Sequence, residues 1–346
     1  MSRRFLVNTF IYTILSLLVP VFYSSSARAQ EAHDGEAQTE EFDPGETILH
    51  HVGDEHQWHL ATVNQHHYAI PLPVILYTAS RGLNVYSSGQ FYHGTGEHDG
   101  FKLDHEHFSA VDGSAVYDFS ITKNAASLII SFVLLLGMFF AVANAYRSRV
   151  GKAPRGLQSA VEPFIVFIRD EVAKNYIGEK HYQRFLPYLL TLFFFIWLNN
   201  LLGLLPGSAN LTGNIAVTMV LAVLTFIIVT VNGKKTYWRH VFAMPGVPWY
   251  MLIILTPVEL AGVLMRPVSL MIRLFANMTA GHIILLSLLS MIFIFKSSLL
   301  GIIVGPFSVF MYLIELVVSV LQAYIFTVLT ASYIGAALEE EHHDAH

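Results

Sequence analysis

Long apolar runs are the feature of this chain that most limits its fold. Five of them have roughly the 17 or more residues with which a helix crosses a bilayer: Ala125–Tyr146, Leu186–Leu205, Ile215–Val231, Trp249–Phe295 and Ile302–Leu338. The last two are much longer than a bilayer requires, so we expect them to be tilted. Only 13% of the 346 residues are charged, about half the share in soluble domains. The sequence therefore predicts an all-α polytopic membrane protein with about five transmembrane helices, the last two long and tilted.

The first 123 residues have a different character. A basic start at Arg3 and Arg4, an apolar run to Phe22 and the small residues of Ala27–Ala29 predict a signal peptide over residues 1–29. An uncleaved first span is the alternative. Residues 30–123 are rich in acids, glycine and histidine. Their short apolar or alternating runs predict a small β-rich domain, and these runs are Gln57–Val63, His67–Thr78 and Leu83–Tyr92.

Basic residues follow the first and third long apolar runs. Because lysine and arginine concentrate on the cytoplasmic side, they orient the chain: Arg147, Arg149, Lys152, Arg155, Lys234, Lys235 and Arg239. We therefore expect a periplasmic domain over residues 30–123, a transmembrane domain over 124–338 and a cytoplasmic tail over 339–346. The amphipathic stretch Gly156–Ile177 is expected to lie along the cytoplasmic interface.

Several function classes are excluded by composition and motifs. The net charge is −5 and no cysteine is present, so nothing indicates nucleic-acid binding, disulfides or thiolate chemistry. No glycine-rich phosphate loop, dinucleotide fingerprint or zinc-protease motif occurs. The sequence therefore predicts neither a cofactor nor nucleotide chemistry in this chain.

The histidines of the N-terminal domain raise the question of a metal. They cluster at His50, His51, His56 and His59, again at His66 and His67, and at His105 with His107. Imidazole binds zinc and copper, but the spacing alone defines no tetrahedral site. We interpret the cluster as a solvated acidic and histidine-rich surface without a metal.

Polar residues within the last two apolar runs are the candidate functional residues. Arg273 lies deep in such a run, where a charge costs a few kcal/mol; a structural salt bridge is the simplest explanation. Glu259, Arg266 and Arg273 recur every seven residues and share one helix face, with Asn277 one turn further and His282 on the other side. On the last helix, Glu315, Ser319 and Gln322 form a second stripe.

Each of these residues has an ordinary alternative role. Asn277 or Gln322 alone would be interhelical hydrogen-bonding groups, and a lone His282 would be a packed histidine. Their combination in two adjacent helices indicates a path for an ion or a proton.

These motifs resemble subunit a of the F-type ATP synthase. The resemblance is strongest over Arg266–His282, continues through Glu315 and Leu321–Thr330, and includes Asn200–Pro206. It covers roughly Pro154–Leu338. The long N-terminal domain departs from the short family pattern and is similar to the extended N-termini of Bacteroidetes-type members.

The resemblance implies a role for each matching residue. Arg273 would be the essential arginine facing the carboxylates of the rotor c-ring, with Asn277 and Gln322 beside it. His282 and Glu315 would line the outer access channel, and Glu259 would lie on the cytoplasmic exit channel. Gly203 stands where some members have aspartate, so no role transfers there.

The resemblance also implies partners and a location. The chain would be a non-catalytic proton-translocating subunit of the inner membrane, in contact with lipid, the c-ring, stator subunit b and the peripheral ATPase sector. H⁺ is favoured over Na⁺ because His282 and Glu315 can relay protons.

Two other classes compete with this interpretation. A secondary transporter would use Arg273 and Glu259 to bind substrate, but such folds usually show internal repeats, and none is visible here. A receptor whose membrane part is only an anchor would not need the intramembrane polar residues.

Overall fold

The computed structural model describes residues 53–63, 66–92, 97–104, 107–148, 151–205, 209–244, 247–295 and 298–339. The predicted signal peptide, the acidic run after it and nearly all of the predicted tail lie outside these residues. The described chain belongs to two compact units, and residues His59–Ala69 fall in the first of them.

Eight strands lie in the part of the N-terminal region that the structure describes. They are β1 (Gln57–Val63), β2 (His66–Pro71), β3 (Pro73–Thr78), β4 (Gly82–Ser87), β5 (Glu97–His98), β6 (Phe101–Asp104), β7 (His107–Ala110) and β8 (Val116–Asp118). β1 and β2 form a two-stranded sheet, while β4-β3-β8 and β5-β6-β7 form two three-stranded antiparallel sheets. Val74, Leu76, Phe91 and Phe101 form the core of the two larger sheets. The prediction of a small β-rich domain is confirmed.

The strand boundaries differ from the sequence prediction in two places. The run His67–Thr78 is divided at Leu72 into β2 and β3, because Pro71 and Pro73 cannot donate to a ladder. The run Leu83–Tyr92 is a strand only to Ser87 and then becomes a helical turn, Gly89–Tyr92. The Ser88 N–H donates to the Leu72 carbonyl, which extends the pairing of β3 and β4 by one hydrogen bond beyond Pro73 and Ser87.

Seven helices lie after the last strand within the described residues. They are α1 (Lys123–Ser148), α2 (Leu157–Phe167), α3 (Tyr182–Gly203), α4 (Ile215–Asn232), α5 (Lys235–Phe242), α6 (Trp249–Phe295) and α7 (Ser298–Leu338). α2 continues through a π-helical segment, Ile168–Lys174, into a last turn, Asn175–Ile177. A 3₁₀ turn, Leu211–Gly213, stands between α3 and α4.

Five of these helices, α1, α3, α4, α6 and α7, are long and apolar enough to cross a membrane. The chain is therefore a multi-pass membrane protein, as predicted. α3 has the most buried span; it packs against α1, α7 and the π-helical segment. α6 is one helix that includes Pro257 and Pro267.

Candidate functional site

The candidate residues are brought together by the antiparallel pair α6 and α7. Two contacts fix how these helices align. The carboxylate of Glu315 packs against Gly281, where a Cβ atom would lie 2.3 Å from Oε1. The guanidinium of Arg266 lies over the ring of Tyr333, 5.5 Å from its centroid. Because Gln322 and Leu274 are each seven residues from the first contact, Gln322 comes level with Leu274, next to Arg273.

Arg273 has no charged partner within the described residues. Its side chain is half-buried, and it forms no hydrogen bond or ion pair in that part of the chain. Arg266, on the same helix face, is different: its guanidinium lies 4.0 Å from the Glu259 carboxylate and over Tyr333. A structural salt bridge therefore accounts for Arg266 and not for Arg273. Asn277, one turn further, is exposed.

A polar cluster lies on the side of Arg273 toward the start of α1. We call it the domain-side cluster: Asn200, Asn210, Thr212, Thr279, His282 and Glu315. Glu315 is 7% exposed, and its Oε2 has no hydrogen-bond partner in the described part of the chain. Its contact point, Gly281, is adjacent to His282. Thr279 is the cluster member nearest Arg273 along α6 and lies six residues beyond it, so the cluster begins about 9 Å from Arg273 along the helix axis.

The loop between α3 and α4 contributes Asn210 and Thr212 to this cluster, and the end of α3 contributes Asn200. Asn200 donates from Nδ2 to the Ser319 carbonyl at 3.1 Å and accepts a hydrogen bond from the Thr212 hydroxyl at 2.7 Å. The Thr279 hydroxyl donates to the Gly213 carbonyl at 3.2 Å. The 3₁₀ turn is thus hydrogen-bonded directly to α6 and, through Asn200 of α3, to α7.

A second polar cluster lies on the other side of Arg273. This far-side cluster consists of His240, Glu259, Arg266 and Tyr333. Nδ1 of His240 and the guanidinium of Arg266 each lie 4.0 Å from Oε1 of Glu259. A cavity of about 10 Å³ beside Arg266 is lined also by Tyr237 and Tyr333, which is room for about one water molecule.

Apolar packing separates the two clusters. Leu270, Leu274 and Met278 are 1%, 0% and 4% exposed and occupy one side of α6 on both sides of Arg273. They belong to the large core formed with α3 and α7. Buried apolar side chains of α6 therefore lie between the two polar clusters.

Sequence reasoning missed part of the domain-side cluster. Asn200 and Thr212 are both 0% exposed, and Asn210 is one residue before the 3₁₀ turn. The signal was present in the two adjacent asparagines, Asn199 and Asn200, within an apolar span, since buried amides need partners. The sequence indicated Lys123, at the start of α1, only as the end of the N-terminal domain. Its side chain is buried, 6% exposed, which the sequence pattern did not indicate.

The metal hypothesis receives no support within the described residues, where no group of three or more histidine, aspartate or glutamate side chains is placed to hold an ion. His56 instead lies 3.0 Å from the Asp118 carboxylate. Most histidines on which the hypothesis depends lie outside the described side chains.

The fold is thus that of a polytopic membrane protein with five candidate spans, in which an arginine without a counter-charge among the described residues lies between two polar clusters. The profile of the ATP synthase A chain family matches residues 125–335, and the chain belongs to that family. It is thus a non-catalytic subunit of an F-type ATP synthase, which sets aside the transporter and receptor alternatives.

Curated relatives agree with the family match. The chain is 48% identical over 236 residues to ATP synthase subunit a of Chlorobium phaeobacteroides (strain BS1), covering 66% of this chain and 69% of that protein. It is 42% identical over 255 residues to ATP synthase subunit a of Chloroherpeton thalassium, covering 71% and 76%. A second profile, a domain of unknown function (DUF8433), matches residues 47–128.

Proposed function

We propose that this chain provides two offset proton half-channels and, between them, the arginine that faces the carboxylates of a rotor ring. The observation that carries the proposal is the contrast between Arg266, which is paired, and Arg273, which has no counter-charge within the described residues. An arginine cation at this depth needs an anionic partner, and a carboxylate on a neighbouring rotor subunit would supply it.

Each candidate residue has a place in this mechanism. Arg273 supplies a fixed positive charge, so it attracts a rotor carboxylate but cannot relay its proton. His282 and Glu315 line the half-channel of the domain-side cluster. Glu259 lines the half-channel of the far-side cluster. Asn277 and Gln322 flank the arginine and hydrogen-bond the rotor site.

Separation of the clusters supports the offset arrangement. A continuous water path would dissipate the gradient, and buried Leu270, Leu274 and Met278 interrupt such a path. A proton that arrives through one cluster must therefore bind to a rotor carboxylate and be carried with the turning rotor to the other cluster. Each charge that crosses 100 mV releases about 2.3 kcal/mol, which is the energy available for rotation.

Orientation follows from the basic residues. Arg147, Lys152, Lys234 and Arg239 place the far-side cluster toward the cytoplasm under the positive-inside rule. The domain over residues 30–123 is then periplasmic, after a signal peptide over 1–29, and the tail over 339–346 is cytoplasmic. The transmembrane part, 124–338, lies in the inner membrane.

Partners provide the test of this proposal. We expect the chain, extracted in mild detergent, to co-purify with a small rotor protein that carries one mid-membrane carboxylate, with stator subunit b and with the peripheral ATPase sector. Mass spectrometry of the purified material would identify them. Isolation of the chain in stable form without any rotor protein would contradict the proposal.

A further inference from the structure

The N-terminal domain is joined to the first turn of α1 by a short segment, Asp54–His56. The Asn124 N–H donates to Oδ1 of Asp54 at 3.0 Å, and the Lys123 N–H donates to the Glu55 carbonyl at 2.8 Å. These are the otherwise unpaired N–H groups of a helix start. The domain therefore caps α1 and fixes the position of its first residues.

The side chain at the beginning of α1 is a buried cation. Lys123 is 6% exposed, and Glu55 is also 6% exposed. An ammonium taken out of water needs compensation, and the carboxylate of Asp54 lies at the same helix start, where it accepts a hydrogen bond from the Asn124 N–H. The junction between the domain and α1 therefore contains charged side chains.

This charged group lies beside the domain-side cluster. Lys123 contributes to the electrostatic environment of His282. The helix contacts bring α1, whose first residue is Lys123, to the loop of the same cluster. α1 packs against the 3₁₀ turn Leu211–Gly213, and the Gly213 carbonyl accepts a hydrogen bond from Thr279, one turn before His282.

The base of the domain carries further ionisable groups. His56, 4% exposed, lies 3.0 Å from Oδ2 of Asp118. Burial raises the pKa of the Asp118 carboxyl, but hydrogen bonds from His56 and Ser120 outweigh burial and leave that pKa below its ordinary value. Ionisable residues therefore occur at the base of the domain, at the start of α1 and in the cluster: Asp118, His56, Glu55, Asp54, Lys123, His282 and Glu315.

The profile boundaries assign Lys123 to the N-terminal domain. The match of the domain of unknown function covers residues 47–128, whereas the ATP synthase A chain match begins at residue 125. The residue that reaches the cluster is thus part of the added domain.

We propose that the N-terminal domain forms the outer vestibule of the proton half-channel, and that Lys123 lines this vestibule directly before His282. Protons and water would pass between the Asp54–His56 segment and α1 to reach His282 and Glu315. This inference rests on the proposed function, because it requires that the domain-side cluster conducts protons.

Cysteine chemistry on the assembled complex tests the vestibule. The chain has no cysteine, so Lys123→Cys introduces a single thiol, and Lys102→Cys, at an exposed lysine of β6, is the matched control. Both are treated from the periplasmic side with a membrane-impermeant, negatively charged methanethiosulfonate. Passive proton flux is measured in proteoliposomes that contain the membrane sector.

We expect the thiol at position 123 to react from the periplasmic side and the flux to fall roughly tenfold, since a blocked conduit loses its polar lining. The control thiol should react without changing the flux. A thiol at position 123 that stays unreactive, or that reacts fully with no loss of flux, would overturn the proposal. Because labelling follows assembly, a folding defect is not mistaken for a block.

Two further variants distinguish the vestibule from the half-channel itself. Lys123→Met should lower the passive proton flux, whereas Lys123→Arg, which keeps the positive charge, should retain most of it. Glu315→Gln is measured in parallel. If Glu315→Gln lowers the flux and the Lys123 variants do not, only the vestibule is wrong. If none of them changes the flux, the proposed half-channel fails as well.

Discussion

Replacing Arg273 by alanine is expected to abolish proton-driven ATP synthesis and leave the complex assembled. The side chain is half-buried and has no counter-charge within the described residues, so its removal breaks no internal ion pair. Under the proposed function, the variant loses the cation that favours the ionised form of a rotor carboxylate, since a nearby opposite charge stabilises that form. ATP synthesis and ATP-driven proton pumping are measured in inverted vesicles.

Two control variants show whether the loss is specific to the Arg273 guanidinium. Arg184→Ala removes an exposed arginine at the start of α3 and should retain coupling. Arg273→Lys keeps a positive charge but loses the planar guanidinium, and we expect it to recover little activity, because the two cations bind carboxylates differently. Full coupling by Arg273→Ala, with normal amounts of the complex, would show that the arginine is not required.

Glu315→Gln is expected to reduce proton flux roughly a hundredfold, a loss typical of removing a positioned proton-transfer group. The carboxyl is 7% exposed, and its Oε2 has no hydrogen-bond partner among the described residues. The amide fits the same space, so assembly should be retained, but it cannot carry a proton. The flux is measured with an imposed potential across proteoliposomes, and unchanged flux would exclude Glu315 from the path.

Gly281→Ala tests the same carboxylate without removing it. The added methyl group would lie 2.3 Å from Oε1 of Glu315, so the carboxylate must move, and we expect a roughly tenfold loss of flux, since displacements of about 1 Å can cost more. Gly262→Ala on the same helix meets no atom within 4 Å and is the control. Equal flux in both variants would show that the position of the Glu315 carboxylate does not matter.

The helical part of the fold could be predicted from the sequence because membrane spans depend on length and hydrophobicity alone. The apolar run predicted at Leu186–Leu205, for example, corresponds to α3, Tyr182–Gly203. The N-terminal strands were harder. Asp99-Gly100 forms the turn between β5 and β6, with φ of 47° and 74°. That dipeptide is a hairpin signal, but strands of two and four residues carry too little alternation to be recognised.

The candidate site could be predicted in part. Helical spacing places Glu259, Arg266 and Arg273 on one face, and the pairing of Arg266 with Glu259 agrees with it. The spacing places Glu259 and Arg273 equally far from Arg266, so it could not indicate that Arg266 is paired and Arg273 is not; nor could it indicate the contact of Arg266 with Tyr333 from another helix. Nor could it place Asn200 against Ser319, a contact between residues far apart in sequence.

The most direct test of the account asks which face of α6 meets the rotor. Ser269 is exposed one turn before Arg273, and exposed Leu264 lies about 140° around the helix from Ser269. Each is replaced by cysteine in this cysteine-free chain, opposite a cysteine beside the rotor carboxylate, and disulfide formation is measured in membranes. The account predicts a cross-link from Ser269→Cys that stops ATP-driven pumping until it is reduced, and none from Leu264→Cys. A cross-link from Leu264→Cys alone would contradict it.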